Sequence, residues 1–103
     1  MFLVLIRYLT ATGEIERARP AHRAFLDEHY RAGTLVCSGP RTDGTGGIVL
    51  ARGTDRSRVE ELFRRDPYAI QGLAVHDIVE FDVKSHAPAF APFLEPLRPE
   101  GGA

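Results

Sequence analysis

Phe2-Leu3-Val4-Leu5-Ile6-Arg7-Tyr8-Leu9 is a nearly continuous apolar run of β-prone residues, about as long as one strand. A strand apolar on both sides must be covered on both sides, so this segment belongs in the middle of a sheet. A second run of the same kind, Ile48-Val49-Leu50-Ala51, lies within a strand signal at residues 46 to 52. A further strand signal at residues 34 to 38 is joined to it by Gly39-Pro40-Arg41-Thr42-Asp43-Gly44-Thr45, whose glycines and proline suit a hairpin connection. The last strand, residues 73 to 83, alternates Val79, Phe81 and Val83 with Ile78, Glu80 and Asp82, the half-buried pattern of a sheet edge.

Two helices separate these strands. From about Glu16 to Ala32, Ala18, His22, Phe25, Leu26, His29 and Tyr30 recur on one helical face. Pro20 suits the first helical position, and Gly33 a C-terminal stop. Thr54 or Asp55 can cap a second helix through Arg65, with Val59, Leu62 and Phe63 inward and Asp66-Pro67 ending it. The order is therefore βαββαβ, an α+β class with a ferredoxin-like, antiparallel four-stranded sheet, two helices on one face and strands one and three central. Two helices cover one face only. The apolar second face calls for a cover, and a second copy of the chain, a homodimer, is the simplest one.

With 103 residues, 44% hydrophobic and 26% charged, the chain suits one globular core and is far from the composition of disordered chains. Thirteen basic and 14 acidic residues are scattered along it, so no footprint for nucleic acid or anionic lipid is visible. Lone Cys37 excludes an intramolecular disulfide, fits a reducing compartment, and reads as a small buried strand residue. Met1 to Arg7 has no basic region and only five apolar residues before Arg7, which is neither a signal peptide nor a membrane span. A cytoplasmic protein is expected. Residues 1 to 84 form the domain; residues 85 to 103 form a tail with Pro88, Pro92, Pro96 and Pro99, which favour extended structure. The tail's Phe90, Phe93, Leu94 and Leu97 suit packing across a dimer or over a pocket, the alternative being a loose terminus.

Several side chains are candidates for chemistry. His22 lies on the apolar stripe, so its ring points at the sheet or into a cavity beside it, either as a core histidine with one hydrogen bond or as a reactive group. If Pro20 starts the helix, His22 lies in the first turn, where unpaired N–H groups, the dipole and the flanking Arg19 and Arg23 favour an anion. Asp66 at a helix C-terminus faces the negative dipole end and wants a partner. Arg64 or Arg65 can supply one in a simple Asp-Pro turn. The other partner is His22, whose tautomer Asp66 would fix and whose basicity it would raise, making a general base. Ser38 offers a ligand a hydroxyl or is turn chemistry; Tyr68 donates a hydrogen bond or packs. His29 lies about 10 Å along the helix axis from His22, too far to share a metal. Adjacent residues on a strand face opposite ways, so His76 and Asp77 cannot form a dyad with each other. His86 is expected to be exposed. No metal, nucleotide or flavin motif is present, and no cofactor is expected.

Arg19-Pro20-Ala21-His22, Ala32-Gly33-Thr34-Leu35 leading to Ser38-Gly39-Pro40, Gly46-Gly47-Ile48-Val49 and Asp66-Pro67-Tyr68 resemble, in this order, the YciI-like (YCII-related) family over residues 1 to 84. The resemblance implies a dimeric α/β barrel related to muconolactone isomerase, with a His-Asp pair matching His22 and Asp66. Family precedent for elimination on a chlorinated hydroxyquinol points to small cyclic or phenolic substrates. The tail lies outside the pattern. The leading expectation is an isomerase, lyase or cyclase using His22 and Asp66 as catalytic pair, with Arg19, Ser38 and Tyr68 as substrate-binding residues. Its rivals are a ligand-binding or accessory protein, a structural dimerisation module and a cofactor-free monooxygenase.

Overall fold

A computed structural model describes residues 1 to 96. Strand β1 (Phe2–Tyr8), helix α1 (Thr12–Arg31), strands β2 (Leu35–Pro40) and β3 (Gly46–Ala51), helices α2 (Arg56–Arg64) and α3 (Pro67–Ile70), and strand β4 (Ala74–Glu80) follow in chain order. The antiparallel sheet runs β2-β3-β1-β4, with the two most apolar strands central as the sequence requires. Alternation divides β1: Phe2, Val4 and Ile6 are buried beneath the helices, whereas Leu3, Leu5 and Arg7 face away.

Phe2, Phe63, Ile15, Val4 and Val49 are the largest wholly buried hydrophobic side chains, each stabilising the fold by about 1.5–3 kcal/mol. They come from both layers, so the core lies between the sheet and the helices. Gly46 lets β3 approach β1 closely; a Cβ there would sit 1.7 Å from the Ile6 carbonyl oxygen. Asp55 caps α2 by accepting from the N–H groups of Ser57 and Arg58. Gly33, at φ 80°, ends α1 in the left-handed conformation glycine adopts without strain.

The open face carries Leu3 and Leu5 of β1, Ile48 and Leu50 of β3, and Val75 and Val79 of β4, brought side by side by the register. Ile48, Val75 and Val79 are exposed there. Cys37, expected to be buried, is exposed, because it pairs with Leu50 on this uncovered face.

Helix α1 begins at Thr12, not near Glu16 or Pro20. Pro20 lies inside it and is exposed, while Ile15 and Ala18 bury the two turns before it. That burial outweighs the hydrogen bond the proline ring removes. His22 therefore sits in mid-helix, and the anion site expected at a first turn does not form. The tail also differs from expectation: Pro88–Leu94 is a 3-10 helix rather than an extended segment. Arg52 clasps the tail, donating to the carbonyls of Pro92, Phe93 and Glu95 while also reaching that of Gly33. Leu97 and Pro99 lie outside the described residues.

Candidate functional site

The Asp66-Pro67-Tyr68 sequence builds the centre of the site. Proline forces the residue before it out of helical geometry, and Asp66 is extended at φ −60°, ψ 128°. Its side chain turns back to cap α3, accepting from the Tyr68 N–H at 3.0 Å. The reading of Asp66 as an ill-placed residue at a helix C-terminus is thus corrected: it starts the next helical turn. The expected second partner is also there. His22 Nδ1 lies 2.8 Å from Asp66 Oδ1, across 44 residues of sequence.

A third group joins them. His76 Nε2 is 2.8 Å from Asp66 Oδ2, and the carboxylate itself is 0% exposed. His76 cannot pair with Asp77, but its strand parity, shared with buried Ala74 and Ile78, turns it toward the helices and Asp66. That parity was legible; the convergence with a loop ten residues upstream was not.

Tyr68 stacks on the His22 imidazole, ring centroids 3.9 Å apart at 11°, and meets Tyr8 edge-on at 5.9 Å. The stack on Tyr68, together with the bond to Asp66, fixes the plane of the His22 ring. Arg19, one turn before His22, lies against the hydroxyls of Tyr68 and Tyr8, which push its pKa further above the ordinary arginine range. Burial raises the Tyr68 phenol, and the Arg19 guanidinium offsets only part of that rise. Ser38 lies elsewhere: its hydroxyl accepts from Tyr30, which is eight residues beyond His22 on α1, about 12 Å along the axis. The structure therefore gathers His22, Asp66, Tyr68 and Arg19, adds His76 and Tyr8, and leaves Ser38 apart.

Burial alone would raise the Asp66 carboxyl, but the hydrogen bonds from His22, His76 and the Tyr68 N–H outweigh it and hold the group below the usual carboxylate range. An ionised carboxylate only accepts, so His22 must carry its proton on Nδ1 and His76 on Nε2. His22 Nε2 is left as a bare acceptor. No described residue bonds it, and it is not among the atoms closed off from solvent. A histidine in this state can take a proton from a bound molecule while Asp66 stabilises the resulting imidazolium. The two imidazoles bond different oxygens of the carboxylate, and among the described residues no group of three His, Cys, Asp or Glu side chains is arranged to hold a metal ion.

Two grooves flank the fold. One of about 310 Å³ runs between α2 and β4 and is lined by His76 with Arg56, Glu60, Phe63 and Arg64. A wider one, about 930 Å³, lies between the tail and the far ends of α1 and α2. It is built around Arg52, His29, Leu62 and Phe81, and none of these bonds Asp66.

A family model described as the YCII-related domain matches residues 1–82. Among solved structures, 5-chloro-2-hydroxyhydroquinone dehydrochlorinase (TftG) from Burkholderia phenoliruptrix AC1100, in complex with 2,5-dihydroxybenzoquinone, matches with a TM-score of 0.65 and 17% identity. The match covers 80% of this chain and 94% of that one. This likeness is one of fold. No curated protein matches the chain.

Proposed function

The chain belongs to the YCII-related domain family, and within it we propose a small-molecule enzyme of lyase type, in which His22, oriented by Asp66, moves a proton on a small cyclic or phenolic metabolite. One observation carries the reading: a wholly buried Asp66, held in its ionised form, bonds His22 Nδ1–H and leaves Nε2 without a partner on a ring stacked against Tyr68. In an elimination, Nε2 takes a proton from an acidic O–H or C–H of the substrate. The freed electron pair forms the new double bond and expels the leaving group as its anion. In an isomerisation the same proton returns to another carbon. Arg19 and Tyr68 would hold the substrate's phenolate or carboxylate, an assignment supported by their place beside the His22 ring. Support for phenolic substrates comes from the structural neighbour, a dehydrochlorinase of a chlorinated hydroxyhydroquinone.

We further propose that the protein acts as a homodimer whose two copies pair through the open sheet face. Exposed Ile48, Val75 and Val79, side by side with Leu3, Leu5 and Leu50 on one contiguous surface, support this, since apolar patches of this kind mark interfaces. The tail is held by Arg52 at the end of the fold away from His22, which assigns it to the scaffold rather than to the reaction.

The test is turnover of a panel of chlorinated and unsubstituted hydroxyquinols and lactones, read by chloride release and ultraviolet absorbance. Wild type is expected to turn over at least one of them and His22→Ala to lose at least about 100-fold, with its circular dichroism unchanged. Turnover that survives His22→Ala overturns the base role. Saturable binding without product would favour the ligand-binding reading.

A further inference from the structure

Asp66 needs both its oxygens filled. Oδ1 accepts from His22 Nδ1 and from the Tyr68 N–H, while Oδ2 has His76 Nε2 as its one bonded partner among the described residues. A buried carboxylate with an empty oxygen is costly, and it is free to turn about its last torsion or to take up a proton. Either change would take Oδ1 away from His22. His76 is itself well anchored. It sits on β4 opposite Ile6 of β1, and its ring lies 5.6 Å from that of Phe63 on α2. His76 also lines the groove between α2 and β4, where Arg56 is already bonded to Glu60 and to the Ile78 carbonyl. That groove does not include His22.

We propose that His76 is the positioning residue of this site: by donating Nε2–H to Asp66 Oδ2 it clamps the carboxylate from the side opposite His22 and keeps it ionised, so that Asp66 holds His22 in a single tautomer with Nε2 bare. The arrangement is a carboxylate gripped between two imidazoles, of which one faces the substrate and the other does not. His76 acts through Asp66 and touches no reacting atom. The proposal deepens the reading of His22 as the base and rests on it for its catalytic meaning; the grip itself is measurable without any substrate.

The experiment compares wild type, His76→Phe and His76→Gln by following the Asp66 carboxyl carbon in 13C NMR as pH is lowered. A long-range 1H–15N spectrum of His22 accompanies each titration. Phenylalanine fills the space without donating, whereas the glutamine amide reaches and donates much as Nε2–H does. In His76→Phe the Asp66 transition is expected to move up by about one to two pH units, and the neutral His22 ring to become a mixture of tautomers. His76→Gln is expected to restore both to within about half a unit of wild type. If His76→Phe does not fold, His76→Gln decides alone. An Asp66 transition displaced upward by a unit or more in His76→Gln, or left in place by His76→Phe, overturns the proposal. Both readings are taken without substrate, so they stand or fall separately from the turnover assay.

Discussion

Replacing Asp66 by alanine removes the acceptor for three donors at once. The Tyr68 N–H is left facing a buried space, and His22 and His76 each lose a bond to a charged oxygen at 2.8 Å. An unpaired buried donor costs about 1–3 kcal/mol, and breaking a buried charged cluster typically costs about 3–5 kcal/mol. Both imidazoles have a second nitrogen reaching solvent and can partly rehydrate, so the lower part of that range, about 3 kcal/mol, is expected for Asp66→Ala. Asp66→Asn should cost far less, about 1 kcal/mol. Its amide oxygen still accepts from Tyr68 N–H and His22 Nδ1–H, and its NH2 can donate to His76 once that ring moves its proton to Nδ1. Urea unfolding at pH 7 and one fixed protein concentration measures both. For a domain of this size a loss of about 3 kcal/mol also lowers the thermal midpoint by at least about 12 °C. An Asp66→Ala protein within about 1 kcal/mol of wild type, or one no less stable than Asp66→Asn, would refute the claim that this carboxylate is the hub of the site.

Acid tests the same group through linkage. The Asp66 carboxyl is held below its ordinary range in the fold and returns to about 3.9 when unfolded. Its ionised form therefore adds stability that is complete above about pH 4, and that stability is lost as pH falls through the lower folded value. The stability difference between wild type and Asp66→Asn, measured by urea unfolding from pH 6 downward, should shrink below about pH 4, and a difference constant with pH contradicts this. Arg52→Ala removes the donor to three tail carbonyls, so trypsin should cut after exposed Lys84 at least several-fold faster, while the thermal midpoint changes little. An unchanged cleavage rate would show that the clasp does not hold the tail. Ile48→Glu places a charge on the open face, and light scattering at micromolar concentration should then give a monomer mass where wild type gives a dimer. A wild-type monomer would sink the homodimer.

Much of this fold is legible in the sequence, because Phe2 to Leu9 and Ile48 to Ala51 are apolar on both faces and can only be central strands. Two turns of α1 were not. Pro20 looks like a helix start, and only the burial of Ile15 and Ala18 shows why the helix continues through it. The exposure of Cys37 is not legible in the sequence, because a strand residue's burial depends on what covers its face, and one copy of the chain leaves that face bare. At the site, His22 and Asp66 each carried a local signal, a stripe position and a carboxylate before proline. Their meeting is tertiary, and the helix dipole does not account for it, since His22 lies in mid-helix and Asp66 opens α3. His76 was visible by parity with Ile78, but nothing near it in sequence asks for a histidine. Its partner is a loop residue that the packing of α2 on β4 brings beneath it.

The central claim is that an ionised Asp66 presents His22 with Nε2 bare. A long-range 1H–15N spectrum of the wild-type protein, recorded at alkaline pH where the imidazole is neutral, reads this directly. The account predicts one tautomer, with the His22 proton on Nδ1 and an unprotonated Nε2. A proton on Nε2, or two tautomers in exchange, would contradict it.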